Sequence, residues 1–146
     1  WNEDHSLLKR NVQLNGLEGK VDVRNVALHS HEGMSPLYLN SLDPGSNSFL
    51  KTKKEDTSEL SYVKTICMDE LMPECIKNQA AALIIKLDVE GSEVDVLRGA
   101  ENFLQAHQQV LLLVEDFVNP LICQYLIDTG WHRVQKKTPY NSFWSR

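Results

Sequence analysis

Two near-continuous apolar runs, Ala82–Leu87 and Val110–Val114, constrain the fold of this chain more than any other feature. Each has the length of a strand. A strand without polar alternation is buried on both faces, as in the middle of a parallel sheet. Between the runs, Val94, Leu97, Ala100, Phe103 and Leu104 recur at helical spacing, with Asp95, Arg98 and Glu101 elsewhere on the turn. Strand, helix and strand in that order predict a parallel pair joined by a helical crossover.

The rest of the chain extends the alternation. Asp4 or Ser6 caps a helix carrying Leu7, Leu8, Val12 and Leu14, which Asn15-Gly16 stops. Val21, Val23, Val26 and Leu28 mark a strand from Lys20 to His29. After it come a short apolar stretch, Pro36 to Leu39, a turn-forming run, Asp43 to Ser48, and a charged run, Lys51 to Glu59, read as a solvated loop. A strand follows at Tyr62 to Cys67, and Asp69 caps a short helix through Ile76. Asn119-Pro120 opens a helix ending near Gly130. Trp131 to Val134 and Ser142 to Trp144 are closing strands, in which Trp131, Phe143 and Trp144 serve packing. The class is α/β, with an open, mostly parallel sheet.

Composition narrows the function. A chain of 146 residues with 42% apolar and 24% charged residues fits one globular domain. Fifteen Lys and Arg against 20 Asp and Glu give a net charge of -5, which argues against nucleic acid as a partner. Arg133, Lys136, Lys137 and Arg146 read as a solvated face rather than a phosphate track. No apolar run approaches the roughly 20 residues of a membrane-spanning helix, and no signal-peptide order opens the chain. Cys67, Cys75 and Cys123 form neither a disulfide framework nor a zinc site. Cys67 and Cys123 read as buried structural thiols, consistent with a cytoplasmic location. Position 1 is Trp rather than Met, and the chain reads as a piece of a longer protein.

Open parallel sheets bind ligands beyond the carboxyl ends of their strands. There the chain runs Lys86-Leu87-Asp88-Val89-Glu90-Gly91-Ser92-Glu93. Its three carboxylates can accept a proton, hold a substrate hydroxyl, or bind an ammonium or sulfonium charge. Gly91 allows a tight turn and close approach of a ligand to backbone N–H groups. A structural reading stands beside this one. Glu93 suits the first turn of a helix, the role its spacing favours, and Ser92 suits a cap; Asp88 is balanced between the two. Glu115-Asp116 ends the next strand in the same way. Asp88 with Glu115 or Asp116 would make an oxygen site suited to Mg2+, although Asp116 reads more simply as solvated. His29 and His31 read as incidental loop histidines, while Tyr38 and Phe49 are candidates for an acceptor pocket.

The acidic turn, continued by Val96-Leu97-Arg98-Gly99-Ala100, resembles the signature of the FkbM family of S-adenosylmethionine-dependent methyltransferases. Weaker matches follow in the family's order: Leu8, Asn11 and Asn15-Gly16; Ala27-Leu28 with Gly33; Ser46-Asn47-Ser48; Asp69-Glu70-Leu71; and Glu115. The resemblance implies a class I methyltransferase fold, a Rossmann-like sheet with flanking helices. It also implies O-methylation of a small-molecule or glycan acceptor, with S-adenosylmethionine as cofactor. Asp88, Glu90 and Glu93 would be catalytic. Asn25, Ala27, Asp88, Val89 and Gly91 would bind the cofactor, Ala27 and its neighbours lying near the adenine. The family's first strand, its Gly-rich turn and its second strand have no counterpart here. The chain thus reads as a single partial domain, 1–146, lacking N-terminal strands and leaving the 82–87 strand at an unsatisfied edge. The rival reading is a truncated or inactive methyltransferase-like module that acts by binding a partner. A nicotinamide-dependent oxidoreductase is weakest, because no GxGxxG turn is present.

Overall fold

The computed structural model describes residues 2–40, 43–50, 59–71, 82–116, 121–136 and 138–146. Trp1, the loop 51–58, the helix continuing to Ile76, Cys75, the Asn119-Pro120 cap and Lys137 lie outside the described residues.

Two mixed sheets and four α-helices make up the described chain. In the first sheet β3 (Glu59–Ile66) is central, with β1 (Ala27–Leu28) parallel on one side and β2 (Gly33–Leu39) antiparallel on the other. The second sheet has the order β4 (Leu83–Leu87), β5 (Val110–Glu115), β7 (Asn141–Ser145), β6 (His132–Lys136). Only β1–β3 and β4–β5 are parallel among the described pairings, so the expectation of a mostly parallel sheet is corrected to a mixed one.

The predicted crossover joins β4 to β5, but as two short helices, α2 (Glu93–Arg98) and α3 (Glu101–Gln105). The break falls where the chain runs against the end of β1. A Cβ on Gly99 would stand 2.1 Å from the His29 carbonyl oxygen, so only glycine fits. Asp69 sits in a 3-10 turn, Met68–Leu71, and its carboxylate caps the start of α3. Its carboxylate accepts the Phe103 N–H at 2.8 Å and the Asn102 side-chain amide at 2.9 Å. Val96, Leu97, Phe103 and Leu104, with Ile122 and Leu126 of α4 (Leu121–Asp128), bury one face of the second sheet against Leu87, Leu112, Val114 and Trp144.

Several expectations change here. The 82–87 strand is not buried on both faces: Ile84 is 75% exposed, and among the described residues β4 pairs with β5 alone. Residues 20–26 form no strand. β-Branched side chains do not make one without a ladder partner, and only Ala27–Leu28 has one, in β3. The stretch containing Pro36 is instead a full strand, β2. Helix α1 (Asn2–Leu14) starts before Asp4 and Ser6, so neither is its N-cap. It ends as predicted at Gly16, whose φ of 63° lets the Gly16 and Leu17 N–H groups close on the Gln13 and Val12 carbonyls. Gly130, at φ 85°, ends α4 with the same pair of bonds. Cys67 and Cys123 are half-buried rather than fully buried. No helix among the described residues is long and apolar enough to cross a membrane.

Candidate active site

β4 and β5 run parallel in register from Leu83 beside Val110 to Leu87 beside Val114, so their carboxyl ends emerge together. Along each strand, successive side chains take opposite faces. Leu83, Ile85 and Leu87 pack toward the helices, which gives Lys86 and then Asp88 the other face. On β5, Val110, Leu112 and Val114 are buried. The same alternation sends Asp116 to the core and sets Glu115 beside Asp88. One oxygen from each of Asp88, Glu90 and Glu115 lies within 4.8 Å of the other two. Asp116, expected to be solvated, is 9% exposed and accepts the Ser142 hydroxyl at 2.9 Å. Ser142 in turn accepts the Trp144 indole N–H at 2.8 Å, so Asp116 belongs to the core of the closing strands.

The turn after Asp88 is held in an unusual conformation. Glu90 has φ 50° and Gly91 has φ 95°. Glycine adopts the left-handed region freely, whereas a glutamate there carries strain of roughly 1 kcal/mol. Glu93 is fully buried and folds back under the turn, its Oε1 accepting the Val89 and Gly91 N–H groups at 3.2 Å each. The Gly91 N–H that the sequence offers to a ligand is therefore occupied by this carboxylate. Ser92 makes no side-chain cap. From the segment bridged to Tyr38 of β2, the Ser48 hydroxyl donates to the Glu90 carbonyl at 2.6 Å.

Charge crowding tunes the cluster. Burial, then the charges of Asp88, Glu93 and Asp43, pushes the Glu90 carboxyl above the ordinary glutamate range. Glu115 is raised by burial, by Asp88, Glu90 and Glu93, and by a hydrogen bond with Asp88 that favours its protonated form. Lys86 pairs directly with Asp88 and partly balances the cluster.

Asp88 and Glu90 of this cluster border a cavity of about 560 Å³. Its walls are Asp4, His5 and Leu8 of α1, the segment Arg24–Leu28, Leu37 of β2, the turn residues Gly45, Asn47 and Phe49, and Asp88–Glu90. The structure thus brings Asn25, Ala27, Asp88 and Val89 together around one space; Gly91 lies behind the turn and does not line it. Phe49 is a wall residue, while Tyr38 is not. His29 packs edge-on against Phe49 and His31, and burial, then the nearby His31, lowers its pKa. Sequence reasoning missed Lys86 and Ser48. Opposite charges two apart on a strand were a readable sign of the Lys86–Asp88 pair. Ser48 acts across 42 residues of sequence, and no local pattern announces it.

NADPH-dependent 7-cyano-7-deazaguanine reductases of Acinetobacter baumannii, strains AYE and SDF among them, are 32% identical to the chain over 81 aligned residues. The match spans 41% of this chain and 30% of the reductases, so the chain spans under a third of the length of these curated relatives. No solved structure matches significantly. The family of the methyltransferase FkbM domain, by contrast, matches over residues 3–128, which takes in α1, both sheets' parallel pairs and the whole acidic turn. The chain belongs to the FkbM methyltransferase domain family.

Proposed function

We propose that the protein transfers a methyl group from S-adenosylmethionine to a hydroxyl of a small-molecule or glycan acceptor, at the cavity bordered by the acidic turn. The observation that carries this reading is the convergence of Asp88, Glu90 and Glu115, the first two of which share a cavity with Asn25–Leu28 and Phe49. The position, beyond the carboxyl ends of two parallel strands, is where Rossmann-like sheets bind ligands. The volume lies within the roughly 300–1,000 Å³ of small-molecule sites. Val26, Ala27, Leu28 and Phe49 offer an apolar wall suited to a base, and the carboxylates offer a negative end suited to a sulfonium. The Glu115 Oε2 beside them is buried without a hydrogen-bond partner, and its negative potential is one that a nearby cation would offset.

S-adenosylmethionine supplies an activated methyl group, so the protein's task is to align the acceptor oxygen and remove its proton. Asp88 and Glu90 are the groups for that proton. Glu90, with its raised proton affinity, is the better matched to a neutral working pH. Glu93 contributes through the Val89 and Gly91 N–H groups, keeping the turn in shape. The three converging oxygens also favour a second reading, in which Asp88, Glu90 and Glu115 hold Mg2+. The reductases' NADPH chemistry is not carried over, since the shared stretch is 30% of those proteins.

The test uses the intact protein: calorimetry with S-adenosylhomocysteine, then transfer from labelled S-adenosylmethionine to a panel of hydroxyl-bearing acceptors, with and without chelator. Asp88→Asn and Glu90→Gln are expected to retain binding, and the variant lacking the base to lose at least about 100-fold in turnover. Normal turnover in both variants would remove the base assignment. Absence of S-adenosylhomocysteine binding would favour the inactive, partner-binding module instead, and loss of turnover with chelator would favour Mg2+.

A further inference from the structure

We infer that Ser48 is a positioning residue, which holds the acidic turn in the left-handed conformation that presents Glu90 to the cavity. This rests on the site proposed above and adds to it a group from the turn bridged to Tyr38 of β2. Ser48 is itself immobilised: it is 8% exposed, and its backbone exchanges two hydrogen bonds with Tyr38 at 2.9 and 3.1 Å. Its hydroxyl accepts the Leu50 N–H at 3.0 Å and spends its one proton on the Glu90 carbonyl at 2.6 Å. The acceptor is the carbonyl of the one non-glycine residue with positive φ among the described residues.

A strained backbone persists where its surroundings over-determine it, and such strain gathers at functional sites. Two clamps do this for Glu90. Glu93 holds the N–H groups on either side from within the turn, and Ser48 holds the carbonyl from without. A glycine at position 90 would meet the backbone requirement without strain. A glutamate there keeps its carboxylate beside Asp88 and Glu115. The clamp also joins two cavity walls, because Asn47 and Phe49 flank Ser48 while Asp88 and Val89 precede Glu90. A ligand seated between them meets a pocket of fixed width.

The test compares the intact wild-type protein with Ser48→Ala and Ser48→Thr. Backbone NMR reads φ at Glu90 from its three-bond coupling and carbon shifts, and calorimetry reads affinity for S-adenosylhomocysteine. Ser48→Ala is expected to lose the left-handed signature at Glu90 and to bind about three- to tenfold more weakly, the scale of one neutral hydrogen bond. Ser48→Thr, which keeps the donor, is expected to restore both. Should Ser48→Ala fail to fold, Ser48→Cys, a weak donor of similar size, takes its place. Retention of the signature in the donor-deficient variant overturns the inference. So does loss of the signature with unchanged affinity. A wild-type protein that does not bind S-adenosylhomocysteine refutes the methyltransferase reading, and the signature at Glu90 then decides the role of Ser48 alone.

Discussion

The two sheets are built from different materials. In the second, the buried residues of the strands are Leu87, Val110, Leu112, Val114 and Trp144, with Ser142 as the polar exception, and three helices close over them. In the first, the buried strand residues are Ser35, Leu37, Val63 and Thr65, half of them polar, with Ser35 and Thr65 hydroxyls 3.4 Å apart. Helix α1 adds little cover, since Val12 is buried while Leu7, Leu8 and Leu14 are more than half exposed. The second sheet is therefore a scaffold and the first a wall. The cavity lies between a part that packing fixes and a part that hydrogen bonds to the scaffold must hold.

The largest test of this difference is a matched pair in the two interiors. Leu112→Ala is expected to cost about 4 kcal/mol and Leu37→Ala about 2 kcal/mol, because a sparsely packed site collapses more readily around a lost side chain. Chemical denaturation measures both, and equal costs would break the comparison. Next in size is Gly99→Ala, at the backbone contact between the crossover and the end of β1. The added methyl group must displace the His29 carbonyl, at a cost of about 1–3 kcal/mol, and cavity-facing residues 24–28 are expected to shift with it in NMR spectra.

The smallest effect is electrostatic. Glu115 has its folded pKa raised above the ordinary 4.5, by burial first and then by its acidic neighbours. A raised carboxyl means the folded state binds the proton more tightly than the unfolded chain. Its stabilising contribution is complete below the ordinary value and is lost as pH rises through the folded value. Glu115→Gln, which cannot ionise, is thus expected to raise the melting temperature near pH 7 and to leave it unchanged near pH 4. A rise of equal size at both would show that the cluster's repulsion is not the cause.

The scaffold was the legible part. Ala82–Leu87 and Val110–Val114 declare themselves because long apolar runs survive any tertiary context, and the acidic turn follows from where those strands end. What hid was whatever depended on a neighbour. The helix break at Gly99 comes from the His29 carbonyl, which no helical periodicity contains. β2 was disguised by Ser35 and Pro36, tolerable in a strand that borders β3 on one side only among the described residues. The 20–29 strand was over-read because Val21 and Val23 have β propensity but no ladder to join. Of the adjacent acids Glu115 and Asp116, the alternation along β5 says that one faces each way. The uniform apolar run before them conceals which face is the core.

The order of the second sheet bears on how the chain is made. β7 follows β6 in sequence, yet it sits between β5 and β6. A nascent chain that has produced β5 therefore carries that strand with one flank open until the closing hairpin emerges. Trp144, which packs opposite Leu112, arrives with the same late strand. The second flank of β5 and the Trp144 core contact therefore form together, and removing β7 would leave β6 without its partner among the described residues. The interval before that event is when this protein most needs a chaperone's shelter.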